Sequence, residues 1–210
     1  MAKCGAKVTG IDFSDRSISY AKDVANREEL PIQYINQNYL GYETEDRFDL
    51  IMMIMCDFCA LSPYQRQNLL SKFHKFLSPE GSLLLDVYSV NAFRQNEEVS
   101  SYELNLLNGF WSSEPYYGFL NTFKYDAKDL ILDKYTIIEE SRTRTVYNWL
   151  QHFTPDRLRS EFEQAGFETK EILGDVAGKA FDPESREFAI IGQKNYPNKA
   201  GQGTTSQSFS

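Results

Sequence analysis

The feature that most constrains the fold is an apolar segment that ends on an acid and continues directly into a helix pattern. Residues 8–24, VTGIDFSDRSISYAKDV, begin as a short strand that ends at Asp12. Ser14 stands at the N-cap position of a helix whose apolar residues Ile18 and Ala21 recur at helical spacing. Because α/β sheets bind ligands beyond the carboxyl ends of their strands, the segment predicts an α/β fold with Asp12 at the edge of a ligand site.

Strand and helix patterns continue to alternate up to residue 88. IQYIN (32–36) is a strand pattern, and FDLIMMIM (48–55) is nearly all apolar, which predicts a strand covered on both faces. Ser62 and the proline after it indicate the start of a helix, and SLLLDVY (82–88) predicts another buried strand. This order favours parallel crossovers and a doubly wound sheet.

The segment from about 110 to 150 breaks this alternation. GFLNTFKY, LILDKYTIIEE and RTVYNWL are rich in Thr, Tyr and Phe, which predicts antiparallel strands in a β-rich insertion. Thr154 and Pro155 then begin a last helix, and ETKEIL and EFAIIGQK are two closing strands. We expect a single domain over residues 1–194 and a disordered tail over 195–210, which is rich in Gly, Ser, Thr and Gln.

Composition excludes several classes of function. The formal net charge of −8 disfavours nucleic-acid binding, which needs a clustered basic surface. No apolar stretch approaches the ~20 residues that span a bilayer, and the N-terminus lacks the apolar core of a signal peptide, so we expect a cytoplasmic protein without a membrane partner. The three cysteines include a Cys56–Cys59 pair, but the chain has only two histidines, so we expect buried thiols and no metal.

In their order and spacing these segments resemble the class I S-adenosylmethionine-dependent methyltransferases of the small-molecule type. The resemblance implies a Rossmann-like, mostly parallel sheet with an antiparallel C-terminal strand. It also implies S-adenosyl-L-methionine as cofactor and a small-molecule methyl acceptor as partner. The matching stretches are AKVTGIDFSDRSISYAK, INQNYL, FDLIMMIMCDF, LSPEGSLLLDVYS, FTPDRLRSEFEQAGFE and EFAIIGQK.

The resemblance also assigns roles to residues after three of the strands. It implies that the Asp12 carboxylate accepts from both ribose hydroxyls and that the remaining matched positions contact the adenine or the methionyl part. Asn38 stands where the family has an aspartate, although an amide oxygen can still accept a bond from the adenine amino group. The alternative for Phe13 is a position in the core. The alternative for Met55 and Cys56 is packing at the end of their strand. The remaining implied cofactor residues are Phe13, Asn38, Tyr39, Met55 and Cys56.

Rings and one histidine of the insertion are candidates for the acceptor site. The chain is 14% aromatic, and rings in the insertion could enclose an apolar acceptor or form the insertion's own core. His152 is the candidate general base, with a packing role as the alternative. The predicted pocket residues are Trp111, Tyr116, Tyr117, Tyr147 and Trp149.

The glycine-rich turn that the family places roughly 20 residues before the acid is absent, because only eleven residues, MAKCGAKVTGI, precede Asp12. We therefore expect a chain truncated relative to the family, without its first strand, and self-association into a homo-oligomer through the exposed sheet edges. The leading hypothesis is methyl transfer to N or O of a small molecule, impaired by this truncation. The alternatives are a catalytically incompetent binding or self-associating protein and, with less support, an NAD-dependent Rossmann enzyme.

Overall fold

The computed structural model describes residues 1–195, and these form two compact units, residues 1–46 and residues from 47 onwards. The first unit holds two strands and one helix, and the second holds the other elements. The strands are β1 (Val8–Asp12), β2 (Ile32–Asn36), β3 (Phe48–Met53), β4 (Leu77–Tyr88), β5 (Ser100–Leu104), β6 (Tyr117–Tyr125), β7 (Leu130–Ile138), β8 (Thr143–Gln151), β9 (Phe167–Leu173) and β10 (Glu187–Lys194). The helices are α1 (Asp15–Arg27), α2 (Pro63–Phe76), α3 (Val90–Gln95), α4 (Leu106–Gly109) and α5 (Pro155–Gln164).

The first unit is a parallel pair of strands joined by α1. β1 and β2 pair in register from Val8 opposite Ile32 to Asp12 opposite Asn36, so both strands end at the same edge. The Ser14 side chain accepts from the amide of Ser17 and caps α1. The predicted strand, cap and helix, and the bounds of the second strand, are confirmed.

The main sheet of the second unit has the order β3-β4-β10-β9. β3 and β4 are parallel, and β10 is antiparallel to both of its neighbours, as expected for the C-terminal strand. Ser62 and Gln65 form a capping box at the start of α2, and Thr154 caps α5. Because these caps are local, the sequence predicted both helix starts correctly.

One expectation about this sheet is wrong. The segment FDLIMMIM was predicted to be covered on both faces, but Leu50, Met52 and Ile54 are 37%, 39% and 42% exposed. β3 is an edge strand that pairs only with β4 among the described residues, so its position in the sheet differs from that of the central strand which its apolar sequence suggests.

The insertion is a regular antiparallel sheet with the order β5-β6-β7-β8. It begins at Ser100, earlier than the predicted start near residue 110. One of its faces packs on a small core cluster of Leu106, Tyr116 and Ile137.

The tail that the sequence predicts to be disordered, residues 195–210, lies outside the described part of the chain from residue 196 on. Within residues 1–195 no helix has the length and apolarity needed to cross a bilayer.

Candidate functional site

The carboxylate of Asp12 lies where β1 ends and α1 begins. Its Oδ1 accepts from the backbone N–H of Ser14 at 2.8 Å, which holds the side chain at the entrance of the helix. No described residue bonds to the other oxygen, Oδ2. A partly buried carboxylate at the carboxyl edge of parallel strands therefore has acceptor capacity for a ligand with hydroxyl groups.

The other predicted residues of this unit follow the ends of β1 and β2. Phe13 is 70% exposed, which excludes the alternative that it is a core residue. The Asn38 side-chain oxygen accepts from the amide of Leu40 at 2.9 Å and caps the one-turn helix Tyr39–Gly41. Tyr39 is half-buried in that turn. Because β1 and β2 are adjacent and parallel, all four predicted residues lie at the same edge of this unit.

This set of groups fits the nucleoside part of the cofactor. A carboxylate supplies the acceptors that two ribose hydroxyls need, and an exposed phenyl ring supplies a stacking surface for a base. Asn36 supports the edge, because its side-chain amide donates to the carboxylate of Asp15 in the first turn of α1. The Asn38 oxygen is already engaged in its cap, so its contact with adenine stays a prediction.

In the second unit, the turn after β3 has an unusual backbone. Met55 and Cys56 have φ values of 69° and 57°, in the left-handed region that side-chain-bearing residues avoid. The carboxylate of Asp86 in β4 accepts from both amides, through Oδ2 from Met55 at 3.2 Å and through Oδ1 from Cys56 at 2.8 Å. Two hydrogen bonds to a charged acceptor offset the cost of this backbone. We refer to these three residues as the Asp86 clamp.

The two residues held by the Asp86 clamp point in different directions. Met55 is 80% exposed, whereas Cys56 is 3% exposed. Met55 is thus accessible to a ligand, and Cys56 is part of the packing. Asp86 is not among the residues predicted from the sequence; the signal for it is a single acid within the largely apolar strand segment SLLLDVY.

The Cys56–Cys59 pair consists of buried free thiols, as predicted. The pKa of the Cys56 thiol is raised, first by its hydrogen bond with Cys59 and then by burial. Cys59 Sγ in turn accepts from the backbone amide of Tyr88 at 3.2 Å. A protonated thiol is a poor nucleophile and a poor metal ligand. Among the described residues no group of three or more His, Cys, Asp or Glu side chains could hold a metal ion.

Tyr88 and Glu187 lie beside these thiols at the same end of the sheet. They are register partners on β4 and β10, and Glu187 Oε2 is 4.0 Å from Cys56 Sγ. Burial is the main cause that raises the pKa of the Tyr88 hydroxyl, and the surrounding acidic groups raise it further. Tyr88 therefore remains a hydrogen-bond donor at neutral pH, next to an exposed carboxylate.

His152, the predicted general base, is 1% exposed. Its ring lies 5.7 Å from that of Tyr88 and 5.5 Å from that of Phe93, and its Nδ1 is 3.1 Å from the Leu150 carbonyl oxygen. Burial lowers its pKa, so the ring is neutral at pH 7. A general base must reach the proton that it removes, and this geometry fits the packing alternative better. The catalytic role stays a prediction.

The five predicted pocket residues lie on two faces of the insertion sheet. Tyr116 is 2% exposed and donates from its hydroxyl to the Leu106 carbonyl, and Trp111 packs against the same core cluster. The other three are on the opposite face and are 54%, 58% and 42% exposed. The structure therefore does not bring all five rings together. The three on the opposite face are Tyr117, Tyr147 and Trp149.

Comparisons with known proteins agree with this architecture. The family described as "Methyltransferase domain" matches residues 1–81. A protein of Geobacillus sp. (strain WCH70), whose name describes it as a methyltransferase, is 24% identical over 208 residues, covering 92% of this chain and 78% of that relative.

Solved structures resemble the chain over nearly its whole length. The CcbJ methyltransferase from Streptomyces caelestis has a TM-score of 0.69 at 15% identity, with 93% of this chain and 77% of that chain covered. An S-adenosylmethionine-dependent methyltransferase from Clostridium acetobutylicum has a TM-score of 0.68 at 10% identity, with coverages of 91% and 76%. The glycopeptide N-methyltransferase MtfA, solved with S-adenosylmethionine, has a TM-score of 0.56 at 16% identity, with coverages of 91% and 79%. At these identities the likeness establishes the fold.

Proposed function

We propose that the chain is a class I S-adenosylmethionine-dependent methyltransferase that transfers a methyl group from S-adenosylmethionine to a nitrogen or oxygen of a small-molecule acceptor. The observation that carries the proposal is the Asp12 carboxylate at the carboxyl edge of β1 and β2, fixed by the Ser14 amide and flanked by the exposed Phe13 ring.

When bound, the cofactor supplies an electrophilic methyl group on a sulfonium, so the chain's own task is to bind, align and exclude water. Asp12 accepts from the ribose hydroxyls, and the Phe13 ring stacks on the adenine. The Asp86 clamp holds the backbone from which the exposed Met55 side chain projects, which supports the predicted contact of Met55 with the methionyl part. No covalent nucleophile is needed, in keeping with the raised pKa of the buried Cys56 thiol.

An amine is the acceptor class to test first. Glu187 is an exposed carboxylate next to Tyr88, whose hydroxyl keeps its proton. The carboxylate can accept a hydrogen bond from an amino group of the acceptor molecule, and the hydroxyl can donate one to a neighbouring polar group of the same molecule. By their names, two of the similar solved structures are a glycopeptide N-methyltransferase and a sugar N-methyltransferase. Amino sugars are therefore a sensible first panel of substrates.

Calorimetric titration with S-adenosylhomocysteine tests the proposal without the need for an acceptor. We expect Asp12→Asn to raise the dissociation constant about 10-fold or more, because the amide loses the charge and the second acceptor. The amide oxygen can keep the bond to the Ser14 amide, so the local structure is preserved. Asp23→Asn, an exposed acid on α1, is the matched control and should bind like the wild type. Equal affinities of the Asp12 and Asp23 variants would contradict the role of Asp12.

A further inference from the structure

The insertion sheet has one face that is unusually rich in exposed rings. The register of the four strands places seven aromatic residues on this side, which we call the aromatic face. Six of the seven are between 42% and 71% exposed. Two ring pairs, Tyr102 with Phe119 and Tyr125 with Trp149, have centroids 5.6 Å apart. The seven are Tyr102, Tyr117, Phe119, Phe123, Tyr125, Tyr147 and Trp149.

The charged residues of the same strands are distributed unequally. Four of them are on the opposite face, which packs on the core cluster, and the aromatic face has only Lys134. This is unusual in a chain with 30 acidic residues and a net charge of −8. Interface cores are depleted in charged residues and enriched in Tyr, Trp and Phe, and the aromatic face has this composition. The four on the opposite face are Glu103, Lys124, Asp133 and Arg144.

The size of the aromatic face fits a protein partner. Strands β6, β7 and β8 have nine residues each. At about 3.4 Å per residue and about 4.8 Å between strands, the face measures about 30 Å by 15 to 20 Å. Its projected area is on the order of 500 Å², the same order as the roughly 800 Å² that each partner of a standard interface buries. Small molecules bind in concave sites, whereas this sheet surface is open.

We propose that the aromatic face is the interface through which two copies of this chain form a symmetric dimer. The two sheets pack face to face with their strands aligned, and the twofold axis runs along the strand direction between β6 and β7. This proposal is independent of the proposed function. It also uses the face of the insertion sheet and none of the strand edges.

One polar pair supports this orientation of the axis. Lys134 on β7 and Asn121 on β6 are register partners at the centre of the face, so the axis places Lys134 of each copy over Asn121 of the other. Asn121 Nδ2 donates to Ser100 Oγ at 2.7 Å, which leaves its Oδ1 to accept from a lysine. An axis across the strands would instead place the two lysines against each other.

The molar mass in solution tests the dimer. Light scattering or sedimentation between about 1 and 100 µM should give twice the mass of one chain. Tyr117→Lys or Tyr147→Lys should raise the dimer dissociation constant about 100-fold or more, because the symmetry introduces each change twice. The matched control is Tyr64→Lys on α2, where the ring is 73% exposed, and it should leave the dimer unchanged. A single-chain mass at every concentration, or a dimer that both sheet variants leave intact, would overturn the proposal.

Cross-linking tests the orientation without a destabilising substitution. In a Cys4→Ser background, chains with Asn121→Cys are mixed with chains with Lys134→Cys and treated with a short bifunctional maleimide; Cys56 and Cys59 are buried. The proposed axis predicts links between the two different chains. Links formed mainly between two Lys134→Cys chains would overturn this axis, and the absence of any link between chains would overturn the interface.

Discussion

Two strand ends of this molecule are stabilised by an acid in different ways. After β1, Asp12 bonds to the amide of Ser14, two residues further along the same chain. After β3, the amides of Met55 and Cys56 are bound by Asp86, which is about 30 residues away on the neighbouring strand. The first arrangement leaves carboxylate capacity for a ligand, whereas the second uses both oxygens to hold the backbone. The difference supports the proposal that Asp12 binds a ligand, and it predicts that Asp86 stabilises the fold.

The largest expected effect is the loss of the Asp86 clamp. Asp86→Leu removes the acceptor of two amides at a residue that is 9% exposed. We expect the free energy of unfolding to fall by about 3 kcal/mol, since hydrogen bonds to charged groups contribute about 1.5–3 kcal/mol each and partial solvation recovers some of the loss. Urea unfolding followed by circular dichroism measures this. A loss below about 1 kcal/mol would show that the clamp does not stabilise the fold.

The two strand ends also differ in how stability depends on pH, because the buried thiol of Cys56 follows β3. The folded-state pKa of Cys56 is raised above its ordinary value of 9.0, so the unfolded chain releases this proton first as the pH rises. The stability from this group is complete below pH 9 and decreases above it, by about 1 kcal/mol at pH 10. The difference between wild type and Cys56→Ala in urea midpoint from pH 7 to pH 10 isolates this contribution. Cys4→Ala, at an exposed thiol, should show the same pH dependence as the wild type.

At the first strand end the corresponding substitution should cost less. Asp12→Ala removes one partly buried hydrogen bond, to the Ser14 amide, and we expect the free energy of unfolding to fall by only about 1 kcal/mol. The same variant should lose affinity for S-adenosylhomocysteine. If Asp12→Ala destabilised the chain as much as Asp86→Leu, the assignment of one acid to binding and the other to structure would be wrong.

The smallest expected effect tests the reason for the clamp. Met55→Gly relieves the left-handed backbone at φ 69°. In the Asp86→Leu background it should recover about 0.5–1 kcal/mol of stability, because glycine adopts this conformation without a steric cost. Glu29→Gly, at an exposed residue with φ 53° in the first unit, is the control for the intrinsic benefit of glycine. No gain from Met55→Gly, alongside a gain from Glu29→Gly, would show that the clamp does not hold a strained turn.

The sequence predicted the features that depend on neighbouring residues. Ser14, Ser62 and Thr154 each cap the helix that follows within three residues, and the bounds of β2 follow from one short apolar run. Asp12 belongs to this class, because its strand and its helix are contiguous. The clamp by Asp86 was not predictable, since its two partners become its neighbours only when β3 and β4 pair.

The β-rich insertion also has features that neighbouring residues alone do not determine. Tyr116 and Tyr117 are adjacent and have the same side chain, yet one is 2% exposed and the other 54%. Which of them packs inside depends on which face of the sheet meets the core, and alternation alone does not specify this. β5 was not predicted because all five residues of SSYEL are exposed and the segment has only two apolar positions, Tyr102 and Leu104.

The most direct test of the proposed nucleoside site is a nitrogen-15 NMR titration that follows the backbone amide of Ser14, which bonds to the Asp12 carboxylate. S-adenosylhomocysteine should shift this amide signal saturably, with the dissociation constant found by calorimetry, and Asp12→Asn should weaken the response about 10-fold or more. Saturable binding that leaves the Ser14 amide unmoved, or no binding to the folded chain, would contradict the account.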